Sequence, residues 1–379
     1  VEAPSTSSPF AGKLWLAPLT KGGHLPFRRL CAFFGADVTV GEMAVVYHLL
    51  KGRSGELALL RSHPEEPCFG AQLADRTAES LAEGTRMAES RGARFVDLNC
   101  GCPIDAITRR GLGASLLRKP SKLARLVEAM RKAVSIPITV KLRSGWRLGD
   151  ENVTEVAKAC EEAGAAAITV HGRTREQRYS RAADWDLIGR VGAERGIPVV
   201  GNGDILTHYE ARDRQARSGV SSLMIGRGAL IKPWIFREIK EGRDILPSAE
   251  ERLDLCLRLV ALMREHFGAD ERGRARILSF LPWHLELFAR YRPLPEAEWR
   301  ERALQGPLIH ARHGLGEALP PLETLLRDPR PATHEALAQL LVSAASLPEA
   351  VEQALSLQAS LPPPGEEVVS EVSPREVAG

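Results

Sequence analysis

The sequence contains no apolar run long enough to span a bilayer and no signal-peptide pattern at its start, so a soluble, cytoplasmic protein is expected. It also has little net charge, with 51 Lys and Arg against 48 Asp and Glu leaving a formal +3. So small a surplus does not announce a nucleic-acid partner, because phosphate contact depends on clustering of charge and not on its sum. Cysteine is sparse: six in 379 residues, with neither a disulfide framework nor paired zinc spacing, and no metal site is expected. Cys31, Cys68, Cys160 and Cys256 lie mostly within apolar runs and read as core packing. Cys100 and Cys102 are one residue apart, which is poor geometry for a single tetrahedral metal. No G-x-G-x-x-G follows the first apolar run, which weighs against an open dinucleotide-binding sheet.

What is present is a rhythm. Residues 1–12 are small, polar and proline-bearing, and read as a flexible leader. From residue 13, short β-branched runs alternate with longer amphipathic stretches. The strand candidates are LWLAPL (14–19), VTVGEM (38–43), CFGAQL (68–73), FVDLNCG (95–101), ITVKLR (138–143), AITVHGR (167–173), PVVGNGD (198–204) and SLMIGRG (222–228). Helical segments such as 76–90 and 122–134 lie between them. Eight repeats over this length predict an α/β fold, a (β/α)8 TIM barrel over 13–246. Beyond Trp234 the strand signal stops. Ser248 and Glu251 form a capping-box pattern, and Cys256, Val260, Met263 and Phe267 then fall on one helical face. Further helices are expected at 275–290, 296–304, 319–328 and 333–357, making 247–358 an all-helical C-terminal domain. The proline- and acid-rich stretch 359–379 reads as a disordered tail.

In such barrels the active site forms at the C-terminal ends of the strands. Here those ends carry polar groups: Gln72 on the third, Asn99 and Cys102 on the fourth, Lys141 and Arg143 on the fifth, His171 and Arg173 on the sixth. The seventh ends in Asn202-Gly203-Asp204 and the eighth in Gly226-Arg227-Gly228. Glycines after these two strands let backbone N–H groups approach a phosphate, whereas either pair alone would suit an ordinary turn. A lysine beside a phosphate-anchored cofactor suggests a flavin, because a cation near its N1–C2=O edge stabilises the anionic reduced form. Lys141 is the candidate; a surface lysine with its head in water suits a barrel strand end poorly.

The runs LAPLT (16–20), GAQLAD (70–75), VDLNCGCPID (96–105), GLGASLL (111–117), VKLRSGW (140–146), VHGRTREQRYSRAADWDLI (170–188), VVGNGDI (199–205) and IGRGALIKPWIF (225–236) resemble the successive motifs of tRNA-dihydrouridine synthases. The likeness covers the whole barrel and is greatest to the branch that in eukaryotes modifies the tRNA variable loop. Two departures stand out: the zinc-finger segments of the eukaryotic members have no counterpart here, and Cys100 replaces a usual Met, Leu or Val, which we read as a packing substitution.

The resemblance implies FMN at the barrel mouth, NADPH as reductant, hydride transfer to C6 of a uridine in tRNA, and proton delivery to C5 by Cys102. A thiol with an ordinary pKa of about 8.5 is mostly protonated at neutrality and can act as that acid. By the same resemblance Pro18, Leu19 and Thr20 support the ring system and Gln72 bonds its polar edge. Lys141 sits by N1 and O2, and His171 lies between ring and phosphate. Asn202, Gly203, Asp204, Gly226 and Arg227 line the phosphate pocket, while Asn99 and Arg143 contact the substrate base or the flavin and Arg173 and Tyr179 face the substrate.

A stacked uridine must be flipped out before its ring can react, and contacts elsewhere on the RNA must offset that cost. Arg272, Arg274, Arg276, Arg290, Arg292, Arg300, Arg302 and Arg312, with His310, His313 and the aromatics Trp283, Tyr291 and Trp299, are the expected tRNA-docking surface. A salt-bridged helical surface over core tryptophans is the competing reading. DNA is not an expected partner, and a monomer is expected. Two rival functions remain: an FMN reductase of a free pyrimidine, of dihydropyrimidine or dihydroorotate dehydrogenase type, and a non-catalytic tRNA-binding barrel.

Overall fold

The computed structural model describes residues 8–311 and 319–362. Eight parallel strands form the barrel: β1 (Leu14–Leu16), β2 (Val38–Val40), β3 (Phe69–Ala74), β4 (Phe95–Cys100), β5 (Ile138–Arg143), β6 (Ala167–His171), β7 (Val199–Asn202) and β8 (Ser222–Ile225). Each pairs with its successor, and β1 closes the ring on β8 with Leu14 opposite Leu223 and Leu16 opposite Ile225. A two-residue segment, Ala44–Val45, adds to the upper end of β3. Strands covered on both faces should read as continuous apolar runs, and every residue of the eight is buried.

Most strands stop two or three residues earlier than their sequence patterns suggest. Residues 17–19, 41–43, 172–173, 203–204 and 226–228 lie beyond the last ladder residues, at the mouth. That early exit frees the backbone there from strand pairing. At the opposite end, Phe10 is buried against Trp15 and Phe95, each ring centroid 5.3 Å from the other two. Ser222 Oγ donates to the Phe10 carbonyl at 2.8 Å. Residues 8–12 therefore include part of the barrel floor instead of a loose leader, because Phe10 has an apolar socket to fill; residues 1–7 lie outside the described set, as does the expected tail from 363 onward.

After the barrel come helices Ala249–Phe267, Glu271–Phe288, Glu296–Gln305, Pro321–Leu326, Pro331–Ser343 and Leu347–Ser360. The capping box is formed: Ser248 Oγ accepts from the Glu251 amide at 3.1 Å, and Glu251 Oε2 accepts from the Ser248 amide at 2.7 Å. The single helix expected over 333–357 is two, because Pro348 lacks the N–H a helix interior needs and instead occupies the first turn of a new helix capped by Ser346. One apolar core runs through barrel and helices together. At their junction His24 Nε2 meets His284 Nε2 at 2.8 Å, Arg29 pairs with Glu265, and Tyr209 donates to the Leu294 carbonyl. Among the described residues no helix is long and apolar enough to cross a membrane.

The aromatic floor gives a stability test. Phe95 is fully buried, and its ring occupies the space that a Cβ on Gly70 would need. Phe95→Ala is expected to cost about 3–5 kcal/mol in denaturant unfolding, the range for deleting a buried aromatic. A loss below ~1 kcal/mol would mean that this floor is not close-packed.

Candidate active site at the barrel mouth

The ends of β5 to β8 and the segment after β1 enclose a pocket with an empty volume of about 500 Å³. Its wall holds Pro18, Leu19, Lys141, His171, Arg173, Tyr179, Asn202, Gly203, Asp204, Gly226 and Arg227, all named from the sequence. Thr20, Gln72, Asn99, Arg143 and Cys102, also named from the sequence, are not on this wall. Ile309 is on it and was not foreseen, because its arrival depends on the helical region folding back over the barrel. The Leu308 amide donates to Glu210 Oε1 at 2.8 Å, anchoring that turn, and His310 Nε2 lies 3.6 Å from Asp204 Oδ1.

Asp204 organises the side of the pocket formed after β7 and β8. Its carboxylate accepts from Arg173 Nη2 at 2.7 and 2.6 Å, from Arg227 Nη2 at 3.1 Å and from the Ala183 amide at 2.7 Å. Burial alone would push this carboxyl up, but Arg173 and Arg227 overcome it and hold it below the usual range. Asp204 has a positive φ of 53° and follows Gly203 at 134°, where a Cβ would lie 2.5 Å from that of Ala183. Arg227 lies over the Tyr179 ring at 4.3 Å, with Arg143 and Arg173 each 5.9 Å from its centroid. Arg173 is wholly buried and tied to Asp204 and to the Arg181 carbonyl, which rules out the solvated arginine common after a strand.

Lys141 Nζ donates to Asn202 Oδ1 at 3.2 Å, while Asn202 Nδ2 donates to the Met224 carbonyl at 2.8 Å. Burial lowers the Lys141 ammonium to about 8, with Arg143 adding to the effect. His171 is pushed well below its usual value by burial and then by the cations Arg143, Arg173, Lys141 and Arg227, so its imidazole is neutral. Lys141, Arg173 and Arg227 thus line a pocket in which Asp204 is the single carboxylate.

Cys102 sits on the loop after β4. The residue is almost inaccessible at 2% exposure, and burial raises the thiol pKa against the pull of the Ile104 amide, Arg143 and Lys141. Its backbone is held from three sides. Asn99 Oδ1 accepts from the Cys102 amide at 2.9 Å and the Gly101 amide at 3.2 Å. The Cys102 carbonyl accepts from the Ala114 amide at 3.0 Å, and Gly113 at φ 60° approaches so closely that a Cβ would come within 2.7 Å of that oxygen. Arg143 Nε donates to the Gly101 carbonyl at 2.8 Å and Nη1 to the Thr174 and Arg178 carbonyls, while its buried Nη2 has no partner. Cys100 is fully buried, consistent with packing. Asp97, unremarked in the sequence, lies in the same network; a lone carboxylate two residues before Asn99 within an apolar strand was the available signal.

The expected RNA surface is only partly exposed. Trp283 and Tyr291 are buried core residues, Tyr291 lying edge-on to Trp234, so neither is free to stack on a base. Trp283 lies on the inward face of the helix Glu271–Phe288, and Tyr291 in the segment that follows it. Arg290 pairs with Glu286 and Arg300 with Asp213, Arg274 bonds Gln339 and Ser343, and Arg292 bonds the carbonyls of Ala289 and Tyr291. Arg272, Arg276 and Arg302 are exposed. Arg312 and His313 lie outside the described residues. A different cluster was not anticipated: Tyr47 is half exposed with Lys51 Nζ 4.4 Å from its ring centroid, and a hydrogen bond from Lys51 chiefly lowers its hydroxyl pKa, with the charges of Lys51, Arg53 and Arg110 adding to it.

A closed parallel barrel with a cationic pocket after its last two strands is the architecture in which a phosphate site frequently forms at that position. Residues 15–307 match the dihydrouridine synthase (Dus) family, and the chain belongs to it. It is similar to proteins named tRNA-dihydrouridine(47) synthase [NAD(P)(+)]-like: 42% identical over 285 residues to one from Homo sapiens, covering 75% of this chain and 44% of that protein. One from Oryza sativa subsp. japonica is 41% identical over 289 residues, covering 75% and 42%. A tRNA-dihydrouridine(47) synthase [NAD(P)(+)] from Coprinopsis cinerea is 43% identical over 298 residues, covering 75% and 44%. The chain spans less than half the length of these relatives.

Lys141 provides a pH test. Its folded-state value of about 8 lies below that of an unfolded lysine, about 10.4, so between these values the unfolded chain binds more protons and stability rises with pH. The cost of holding the buried charge is present below about pH 8 and is relieved as pH climbs toward the unfolded value. Lys141→Met is expected to stabilise the ligand-free protein at pH 7 and to lose that advantage by about pH 10. Denaturation midpoints at both pH values provide the check; an equal effect at both would contradict a charged, desolvated Lys141.

Proposed function

We propose that this chain is a flavin-dependent tRNA-dihydrouridine synthase that reduces the C5–C6 bond of a variable-loop uridine, position 47 in the names of its relatives, at the expense of NADPH. The observation that carries this reading is the juxtaposition of two features: a cationic pocket at β5 to β8, and a protonated, tightly held Cys102 on the neighbouring strand end.

The residues present fit FMN by the chemistry of their donors. Arg227 and the backbone of Gly203 and Gly226 suit the phosphate, with Asn202 and Asp204 shaping the pocket around them. Lys141 supplies a cation for the N1–C2=O edge, and neutral His171 can donate one hydrogen bond without adding charge. Pro18, Leu19 and Thr20 offer a backbone platform, and Gln72 has a second amide hydrogen for the ring's polar edge. Bound there, the reduced flavin would supply hydride to C6 of the uracil. Cys102 holds the complementary proton for C5, and its raised pKa keeps that proton in place at neutral pH. Arg143, whose buried Nη2 lacks a partner in the protein, is suited to an acceptor on the substrate. Asn99, Arg173 and Tyr179 are assigned to the substrate side through the loops and rings they hold.

For the RNA, the exposed Tyr47, with Lys51 at its ring and Arg53 and Arg110 acting on its hydroxyl, offers a stacking face within a field of cations. Arg272, Arg276 and Arg302 on the helices after residue 247 are also exposed, and we assign 247–358 to RNA binding and 13–246 to catalysis. We place the protein in the cytoplasm as a monomer.

Incubation with NADPH and tRNA lacking dihydrouridine, followed by mass-spectrometric mapping, should yield dihydrouridine at one variable-loop position with the wild type. Cys102→Ala should form little or none while retaining its flavin spectrum. Flavin-loaded wild type that leaves folded, premodified tRNA unchanged yet turns over free uracil or dihydroorotate would replace this reading with the free-pyrimidine reductase.

A further inference from the structure

Within the barrel, Thr139, Asp97, Gln72 and Asn99 form one line of buried hydrogen bonds that ends on the Cys102 backbone. Gln72, Asp97 and Thr139 stand opposite one another on β3, β4 and β5. Thr139 Oγ1 donates to Asp97 Oδ1 at 2.6 Å, and Gln72 Nε2 donates to Asp97 Oδ2 at 2.8 Å. One step nearer the mouth, Asn99 Nδ2 donates to Gln72 Oε1 at 2.7 Å, and Asn99 Oδ1 accepts from the Cys102 amide at 2.9 Å. All four side chains are buried at 1% exposure. The line is continuous from β5 to the loop.

Two of its members, Gln72 and Asn99, are primary amides, and an amide is nearly symmetric in shape. Rotated by half a turn, either would fit the same space with donor and acceptor exchanged. Sterics therefore leave their orientation open, and hydrogen bonding must choose it. A backbone N–H at Cys102 demands an acceptor from Asn99. Asn99 can present its oxygen there only if its nitrogen meets an oxygen on Gln72. Gln72 can present that oxygen only if its own nitrogen meets an acceptor beyond it. An ionised carboxylate is acceptor-only, and it is the terminus this sequence of demands requires. Burial pushes the Asp97 carboxyl up to about 6, with Thr139, Gln72 and Lys141 pulling it back, so it is ionised at neutral pH.

We infer that Asp97 is a positioning residue for the Cys102 loop: its carboxylate fixes the direction of each hydrogen bond from Gln72 through Asn99 to the Cys102 amide. Asp97 itself touches neither the pocket nor the thiol. Its effect on catalysis rests on the reading of Cys102 as the proton donor; the orientation of the loop does not. A reversed line would set Asn99 Nδ2 against the Cys102 N–H, donor against donor, and release the loop from its inner anchor.

The test separates direction from packing. Asp97→Asn keeps the shape but supplies both a donor and an acceptor, so both orientations of Gln72 become possible. The double change Gln72→Glu with Asp97→Asn moves the carboxylate one place along the line. The amide introduced at position 97 then donates to the carboxylate introduced at position 72. Asn99 still donates to that carboxylate, and the Cys102 amide keeps its acceptor. Thr139→Val removes a donor but leaves the direction intact. The primary readout is the rate of iodoacetamide labelling of Cys102 in the full-length protein, followed by peptide mass spectrometry with the other five cysteines as internal references.

Asp97→Asn should label several-fold faster at Cys102 and, with flavin retained, reduce tRNA uridine about tenfold more slowly at saturating tRNA, the scale set by one buried hydrogen bond. The double variant and Thr139→Val should both label as the wild type does. If Asp97→Asn fails to fold while the double variant folds and labels normally, direction is again what matters. Wild-type labelling in Asp97→Asn, or equal acceleration in all three variants, would overturn the inference. The predicted labelling pattern without any dihydrouridine formation by the wild type would support the line and remove the proposed reaction.

Discussion

The site depends on charge held out of water. Lys141, Arg173 and Arg227 line one pocket, Arg143 is buried close by, and Asp204 is the carboxylate set among them. Desolvating cations in this way is costly, and a single carboxylate does not offset it. The barrel bears that cost through its closed, apolar wall and its aromatic floor, which hold the strand ends at fixed positions. A pocket of this kind is preorganised for an anion, because the ligand supplies what the protein withholds. Neutral His171 follows from the same field, since a further positive charge there would meet four cations.

The opposite side of the mouth works on another principle. Around Cys102 the backbone is held by hydrogen bonds, one of them from the Arg143 guanidinium, and the thiol stays protonated because burial outweighs the pull of Arg143 and Lys141. Asn99, Gly113 and Arg143 each fix a different part of that short loop. The two halves meet across β4 and β5, where Asn99 stands directly opposite Lys141. A reaction that needs an electron donor on one side and a proton donor on the other is served by such a division. The turn at Leu308–His310 adds a third element, placing Ile309 on the pocket wall and His310 Nε2 3.6 Å from Asp204 Oδ1.

Much of this could be read from the sequence because two signals agreed. Apolar runs marked the strands, and polar residues and glycines placed at their ends marked the mouth; eight residues of the pocket wall were named on that basis, and Pro18, Leu19 and Tyr179 came from the family resemblance alone. Periodicity failed where it could not tell an inward face from an outward one, as with Trp283 and Tyr291, which the core takes for packing. It missed the break at Pro348, where one missing N–H outweighs the helical propensity around it. Phe10 was hidden in a polar leader, since only the closed barrel creates its socket. Asp97 escaped notice for a related reason: its partners on β3 and β5 lie 25 and 42 residues away in sequence, and only strand register brings them to one level.

The central claim is that this mouth is built for a phosphate-bearing cofactor, and it is tested most directly by comparing two ligands of the flavin-stripped protein. FMN and riboflavin share the ring system and differ only in the phosphate. Titration by fluorescence quenching should give FMN at least about a hundredfold tighter binding, as expected for a dianion meeting desolvated arginine and lysine, with the difference shrinking as salt rises. Equal affinities, insensitive to salt, would contradict the account, because the cations of the pocket would then be doing something other than holding that phosphate.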